Sequence, residues 1–188
     1  MTAVETTDVQ QARQHFEKAR TRVIEVTTGL TDAQWKFKPA PDRWSIAETL
    51  EHMVIVRELV FEGRLAKLAE APAAPPDRDH RLIDRITIEK IPDRSTRVKA
   101  PDFIEPTGQM NPQDALQRLL QNCERLSEFV RSTAGLREHV MDSPPLKIVT
   151  NGAYDTMDGY QRALALASHD LRHVEQMLEV KADPNYPA

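Results

Sequence analysis

The chain has 188 residues, 40% hydrophobic and 29% charged, enough for one ordinary domain with a buried core. Its net charge of −4 comes from 25 basic and 29 acidic residues mixed along the chain, without the basic stripe that a phosphate backbone requires, so nucleic acid is excluded as an expected partner. Cys123 is the one cysteine, which rules out an internal disulfide; with a polar N-terminus and no apolar run near the length of a membrane span, the expectation is a cytoplasmic protein with no membrane partner.

Aromatic residues make up only 5% of the chain, so the core must rest on aliphatic side chains, which favours helices packed on helices. The 13 prolines mark the breaks, because proline disrupts a helix interior but is tolerated in the first turn. Four proline-free stretches remain, and they predict an all-α single domain over 1–188.

The first helix is predicted at about 8–28, where Ala12, Phe16, Ala19, Val23 and Val26 recur at steps of three and four. The second is predicted at 45–71. Ser45 and Glu48 have the spacing of a capping box, and the Ala71-Pro72 step ends the helix. The long connection 72–110 follows, rich in proline and charge, with a β-like run at Ile86-Thr87-Ile88. Connections of about 40 residues are unusual inside a domain; a crossover spanning the length of a bundle is one physical reason for it. The third helix is predicted at 111–134, with Asn111 as cap and Pro112 at the first position. Its buried face includes Leu119, Cys123, Leu126 and Val130. The fourth is predicted at 156–180, capped by Asp155 or Thr156.

Helices two and four carry the chemistry. His169 and His173 are four apart and face the same way on a helix, a spacing that lets two imidazoles share one metal ion. By itself that pair is a weak signal. His52 lies seven residues past the Ser45 cap, and His173 lies seven before the end of helix four. If these helices are antiparallel neighbours, all three rings reach one level about 10 Å inside the same end of the bundle. Three nitrogens with an open fourth position describe a reactive metal site rather than a closed structural one.

Other candidates have plainer readings. Glu48 is explained by its capping position. Glu51, Asp170 and Glu175 could accept a proton from a ligating imidazole, but a solvated helix surface is the preferred role for them. His15, His80 and His139 read as surface or flank residues, and Cys123 as core. Both helices are apolar on two faces: Leu164, Leu171 and Val174 lie opposite Leu166, His169 and Met177 on helix four. A helix buried on two sides suggests that one face meets a second subunit, hence a homodimer.

The stretch Leu30-Thr31-Asp32-Ala33-Gln34-Trp35, continued by Pro39-Ala40-Pro41-Asp42-Arg43-Trp44-Ser45-Ile46-Ala47-Glu48-Thr49-Leu50-Glu51-His52, resembles the N-terminal signature of the DinB/YfiT-like superfamily. The segment His169-Asp170-Leu171-Arg172-His173-Val174-Glu175-Gln176 resembles its C-terminal signature. The resemblance implies a four-helix bundle of up-down-down-up topology whose crossover joins helices two and three. It also implies a divalent metal, commonly nickel or zinc, on positions matching His52, His169 and His173. Some members of this superfamily are transferases or isomerases that use a low-molecular-weight thiol such as bacillithiol or mycothiol, and many have no assigned activity. The leading expectation is therefore a metal-dependent enzyme of thiol-S-transferase or hydrolase type acting on a small molecule. The alternatives are a non-catalytic metal-binding or stress-response homodimer and a metal-free helical interaction module. No residue stands out as a general base.

Overall fold

Each long helix begins where a side chain satisfies the backbone N–H groups that the first turn leaves open. The computed structural model describes residues 5–95 and 99–188. Helix α1 (Thr6–Thr27) opens where the Glu5 N–H donates to the Asp8 carboxylate at 3.1 Å, and a short α2 (Asp32–Lys36) buries Trp35. At the start of α3 (Ile46–Glu58) the Glu48 N–H donates to Ser45 Oγ at 3.1 Å and the Ser45 N–H to the Glu48 carboxylate at 2.8 Å. The helical path continues through a π turn (Leu59–Arg64) and a 3-10 turn (Leu65–Glu70), ending at Ala71 before Pro72.

The connection holds its own helix, α4 (His80–Lys90), capped by Asp79. The β-like reading of Ile86–Ile88 is thereby corrected: these residues are helical. Ile83, Asp84 and Thr87 are buried at helical spacing, and the Thr87 hydroxyl donates to the Ile83 carbonyl at 2.7 Å. Tertiary burial overrides local β preference here.

Helix α5 (Pro112–Ser132) starts on Asn111, whose Oδ1 accepts from the N–H groups of Gln113 and Asp114. A two-stranded antiparallel ribbon of β1 (Val140–Asp142) and β2 (Thr156–Asp158) brackets the short α6 (Pro144–Val149). Helix α7 (Gly159–Lys181) therefore begins three residues later than expected, because residues 156–158 pair as a strand and Asp158 is the cap.

Cross-helix bonds fix the directions. Asp8 meets Tyr160, His15 meets Ser168 and Val26 meets Lys181, so α1 and α7 run parallel. Arg43 meets Glu179 and His52 meets His169, so α3 and α7 are antiparallel. Glu58 meets Arg118, and Phe61 further along packs on Phe129, so the helical path of α3 runs parallel to α5. This is the up-down-down-up four-helix bundle, with the crossover between α3 and α5. Among the described residues, no helix is long and apolar enough to cross a membrane.

Helix α7 is the most enclosed element, since α1, α3 and α4 all pack on it. Leu164 and Val174 of one stripe and Leu166 and Met177 of the other are all buried. This single chain covers both apolar faces of α7, so the double stripe says nothing of a second subunit. The close packing shows at Gly159, where an added Cβ would lie 2.4 Å from Leu68 Cδ2 and 3.1 Å from the Leu136 carbonyl oxygen.

His15 departs from its expected surface place: it is buried, with Nε2 2.8 Å from Ser168 Oγ. His80 and His139 are half-buried and bonded to Asp158 and to the Ala71 carbonyl. At the N-terminal end of α7, buried Arg137 reaches Asp84 at 2.8 Å, Asp158 at 3.2 Å and Asp8 at 3.4 Å, and its guanidinium lies 4.2 Å from the Tyr160 ring centre. That charged knot ties α1, α4 and the start of α7 together.

Candidate metal centre

Near the middle of α7, the antiparallel α3 brings His52 to the His169–His173 pair. His52 Nε2 lies 3.2 Å from His169 Nε2, and His173 Nε2 lies 3.1 Å from the same atom. One nitrogen from each ring falls within 4.8 Å of the others. All three predicted residues therefore meet at one point, and the antiparallel arrangement that their spacing required is the one observed.

The outer nitrogens decide what the inner ones can do. His52 Nδ1 lies 2.7 Å from the Ile104 carbonyl oxygen. A carbonyl only accepts, so Nδ1 carries the proton and Nε2 is bare. His173 Nδ1 lies 3.0 Å from Gln176 Oε1, which also accepts from Arg94 Nη1 at 3.1 Å. That Nδ1 likewise donates and its Nε2 is bare. His169 Nδ1 is buried with no hydrogen-bond partner among the described residues. A proton on His169 Nε2 could serve one of the two bare neighbours but not both.

Burial holds the His52 imidazole below its usual range against the pull of the Ile104 carbonyl. Burial and the adjacent imidazoles hold His169 and His173 well below it. Neutral rings with clustered lone pairs are the donor set that a borderline divalent ion takes. The Trp44 ring sits 4.8 Å from the His52 ring and 6.3 Å from that of His173, forming an apolar wall immediately before the Ser45 cap.

The nearby carboxylates are placed differently from the surface role expected of them. Glu51 is buried and accepts from Thr107 Oγ1 at 2.6 Å, Thr107 N–H at 3.0 Å and Gly108 N–H at 2.8 Å. Gly108 has φ 72°, a left-handed conformation that glycine adopts without strain. Asp170 is also buried and pairs with Arg57, whose Nε donates at 3.2 Å. Burial pushes the Asp170 carboxyl up and Arg57 draws it back. Among the described residues, neither carboxylate is hydrogen-bonded to an imidazole. Glu175 is exposed beside Arg22, as expected, and Glu48 is held in the cap and by Lys38. Cys123 is core, its thiol pushed up to about 11 by burial.

Ile104, Gln176 and Arg94 were not visible as site residues in the sequence. Gln176 follows His173 by three, which places it on the same helix face and was a usable signal. A backbone carbonyl and an arginine from the crossover leave no such pattern.

A crossed four-helix bundle that gathers three imidazoles between antiparallel helices defines a class of helical proteins with a histidine-triad centre. The sequence profile of the DinB superfamily matches residues 15–177, and the chain belongs to that superfamily. It is 23% identical over 166 residues to the uncharacterized protein YuaE of Bacillus subtilis strain 168, covering 88% of this chain and 94% of that one. Among solved structures it is similar to YfiT from Bacillus subtilis, with a TM-score of 0.63 at 12% identity, covering 98% of this chain and 91% of that one. YfiT is described as a probable metal-dependent hydrolase with an unusual four-helix bundle topology; at this identity the likeness establishes the fold alone.

Proposed function

We propose that the chain holds one divalent metal ion, nickel or zinc, on the Nε2 atoms of His52, His169 and His173, and that this centre serves hydrolysis or thiol transfer on a small molecule. The carrying observation is the pair of bare Nε2 atoms on His52 and His173 facing that of His169 at 3.2 and 3.1 Å. Three neutral imidazoles from two helices suit such an ion and leave room for a further ligand. When bound, the ion supplies Lewis acidity, which lets water or a low-molecular-weight thiol react as its anion near neutral pH. The chain's own residues do the rest. Ile104 and Gln176 keep the protons of His52 and His173 on the outer nitrogens, and Trp44 shields two rings from water. The description of YfiT supports the hydrolytic form of this reading.

A second reading has its own observation. Glu51 and Asp170, the buried carboxylates nearest the triad in sequence, are both committed to other partners, which favours a binding role without proton transfer. Metal analysis of tag-free protein, followed by reaction with a panel of esters, amides and thiol–electrophile pairs, separates the two. Bound metal with turnover supports the enzyme; bound metal without turnover across the panel supports the binding protein. Failure to take up nickel or zinc contradicts both.

A further inference from the structure

We infer that Arg94, which belongs to the crossover rather than to the bundle, is a positioning residue for His173: it fixes the Gln176 amide as an acceptor and thereby keeps the His173 ring proton on Nδ1. The purpose of this arrangement rests on the metal reading above; its geometry does not.

A glutamine amide can present either its oxygen or its NH2 to a neighbour. If the NH2 faced His173, Nδ1 would have to accept, and the ring proton would move to Nε2, into the centre. Arg94 removes that choice, because a guanidinium has donors only. Its Nη1 donates to Gln176 Oε1 at 3.1 Å, while Nε and Nη2 grip the two oxygens of Glu179 at 2.8 and 3.0 Å. Gln176 and Glu179 are three apart on α7 and share a face, so one planar fork spans both. Arg43 braces Glu179 from the start of α3 at 3.3 Å. Next to Arg94 in the chain, the carbonyl of Asp93 accepts from Arg172 of α7, pinning the crossover at the point where Arg94 leaves it. The Arg94 side chain is 18% exposed, sheltered enough for its hydrogen bonds to resist competition from water.

His52 is handled in the same way from further along the crossover. The Ile104 carbonyl takes its Nδ1 proton, and Glu51 holds the following turn through the N–H groups of Thr107 and Gly108. Two of the three ring tautomers are thus set by the segment between α4 and α5.

The test is nitrogen–proton correlation spectroscopy of the histidine rings in the metal-free full chain. Wild type should show the Nδ1–H tautomer at His173. Arg94→Ala should populate the Nε2–H tautomer at His173 while leaving His52 unchanged, and Arg94→Lys should fall between them. Adding Gln176→Glu to Arg94→Ala should restore Nδ1–H, because a carboxylate accepts whichever way it turns. In parallel, zinc affinity measured against a chelator should fall about 10–100-fold in Arg94→Ala, with the melting temperature of the metal-free chain unchanged. His173 signals that do not respond to Arg94→Ala, or that Gln176→Glu fails to restore, overturn the inference. A wild-type chain that takes up no zinc defeats the metal reading instead, and the ring-nitrogen result still decides the role of Arg94.

Discussion

His52 and His169 are 117 residues apart in the chain, yet their Nε2 atoms lie 3.2 Å from each other. A cation at that point would take a lone pair from each of the three rings, where a single His169 proton serves only one of the two contacts. Ligand that binds only the folded state stabilises it by mass action, by about 2.7 kcal/mol at a hundredfold excess over Kd. Nickel or zinc is therefore expected to raise the melting temperature of wild type and to leave that of His52→Ala where it stands. Differential scanning fluorimetry with and without metal reads this directly.

The Arg57–Asp170 pair is buried, with side-chain exposures of 2% and 0%. Asp170→Ala leaves the guanidinium in the core without its partner, an error that costs about 3–5 kcal/mol. The double variant Arg57→Met, Asp170→Leu should recover most of that loss, since apolar replacements of a buried pair are often neutral. Urea unfolding of the metal-free chain measures both variants.

How much of this was legible follows from where the information sits. The caps at Ser45 and Asn111 and the break at Pro72 are local signals, and they located three of the helix starts and stops to within a residue or two. His52, His169 and His173 were legible because helical spacing turns sequence numbers into heights along a bundle. Ile86–Ile88 misled because β-branched residues suit a strand when alone, whereas contact with α7 decided the outcome. His15 and Asp170 looked exposed because partners such as Ser168 and Arg57 lie far away in the chain. The Ile104 carbonyl could not have been found, since a backbone oxygen has no sequence signature.

Burial, reinforced by Lys18, holds the His15 imidazole down at about 4 from its usual 6.5. The unfolded chain binds that proton first as pH falls, so His15 favours the folded state fully above pH 6.5 and this contribution is lost progressively as pH drops toward 4. At about 1.4 kcal/mol per pH unit, the loss over that window is about 3 kcal/mol. His15→Gln should flatten the stability profile between these values, as followed by unfolding at a series of pH values.

Cys123 is 5% exposed and its thiol is raised to about 11 by burial. The thiolate is the reacting form, so alkylation of the native chain at pH 8 should be slower than that of the urea-unfolded chain by at least about tenfold. Equal rates would show that this part of α5 opens readily.

Gly159 begins α7 against Leu68 and the Leu136 backbone, which accepts its N–H at 2.7 Å. Gly159→Ala should destabilise the chain by about 1–3 kcal/mol through overpacking, despite the better helix propensity of alanine. An unchanged melting temperature would mean that Leu68 moves aside freely.

The most direct test of the centre itself is anomalous diffraction at the nickel or zinc edge from crystals loaded with one equivalent of metal. A single peak about 2.0–2.1 Å from the Nε2 atoms of His52, His169 and His173 is the predicted result. No peak at the triad, or a peak only at other side chains, would contradict the account.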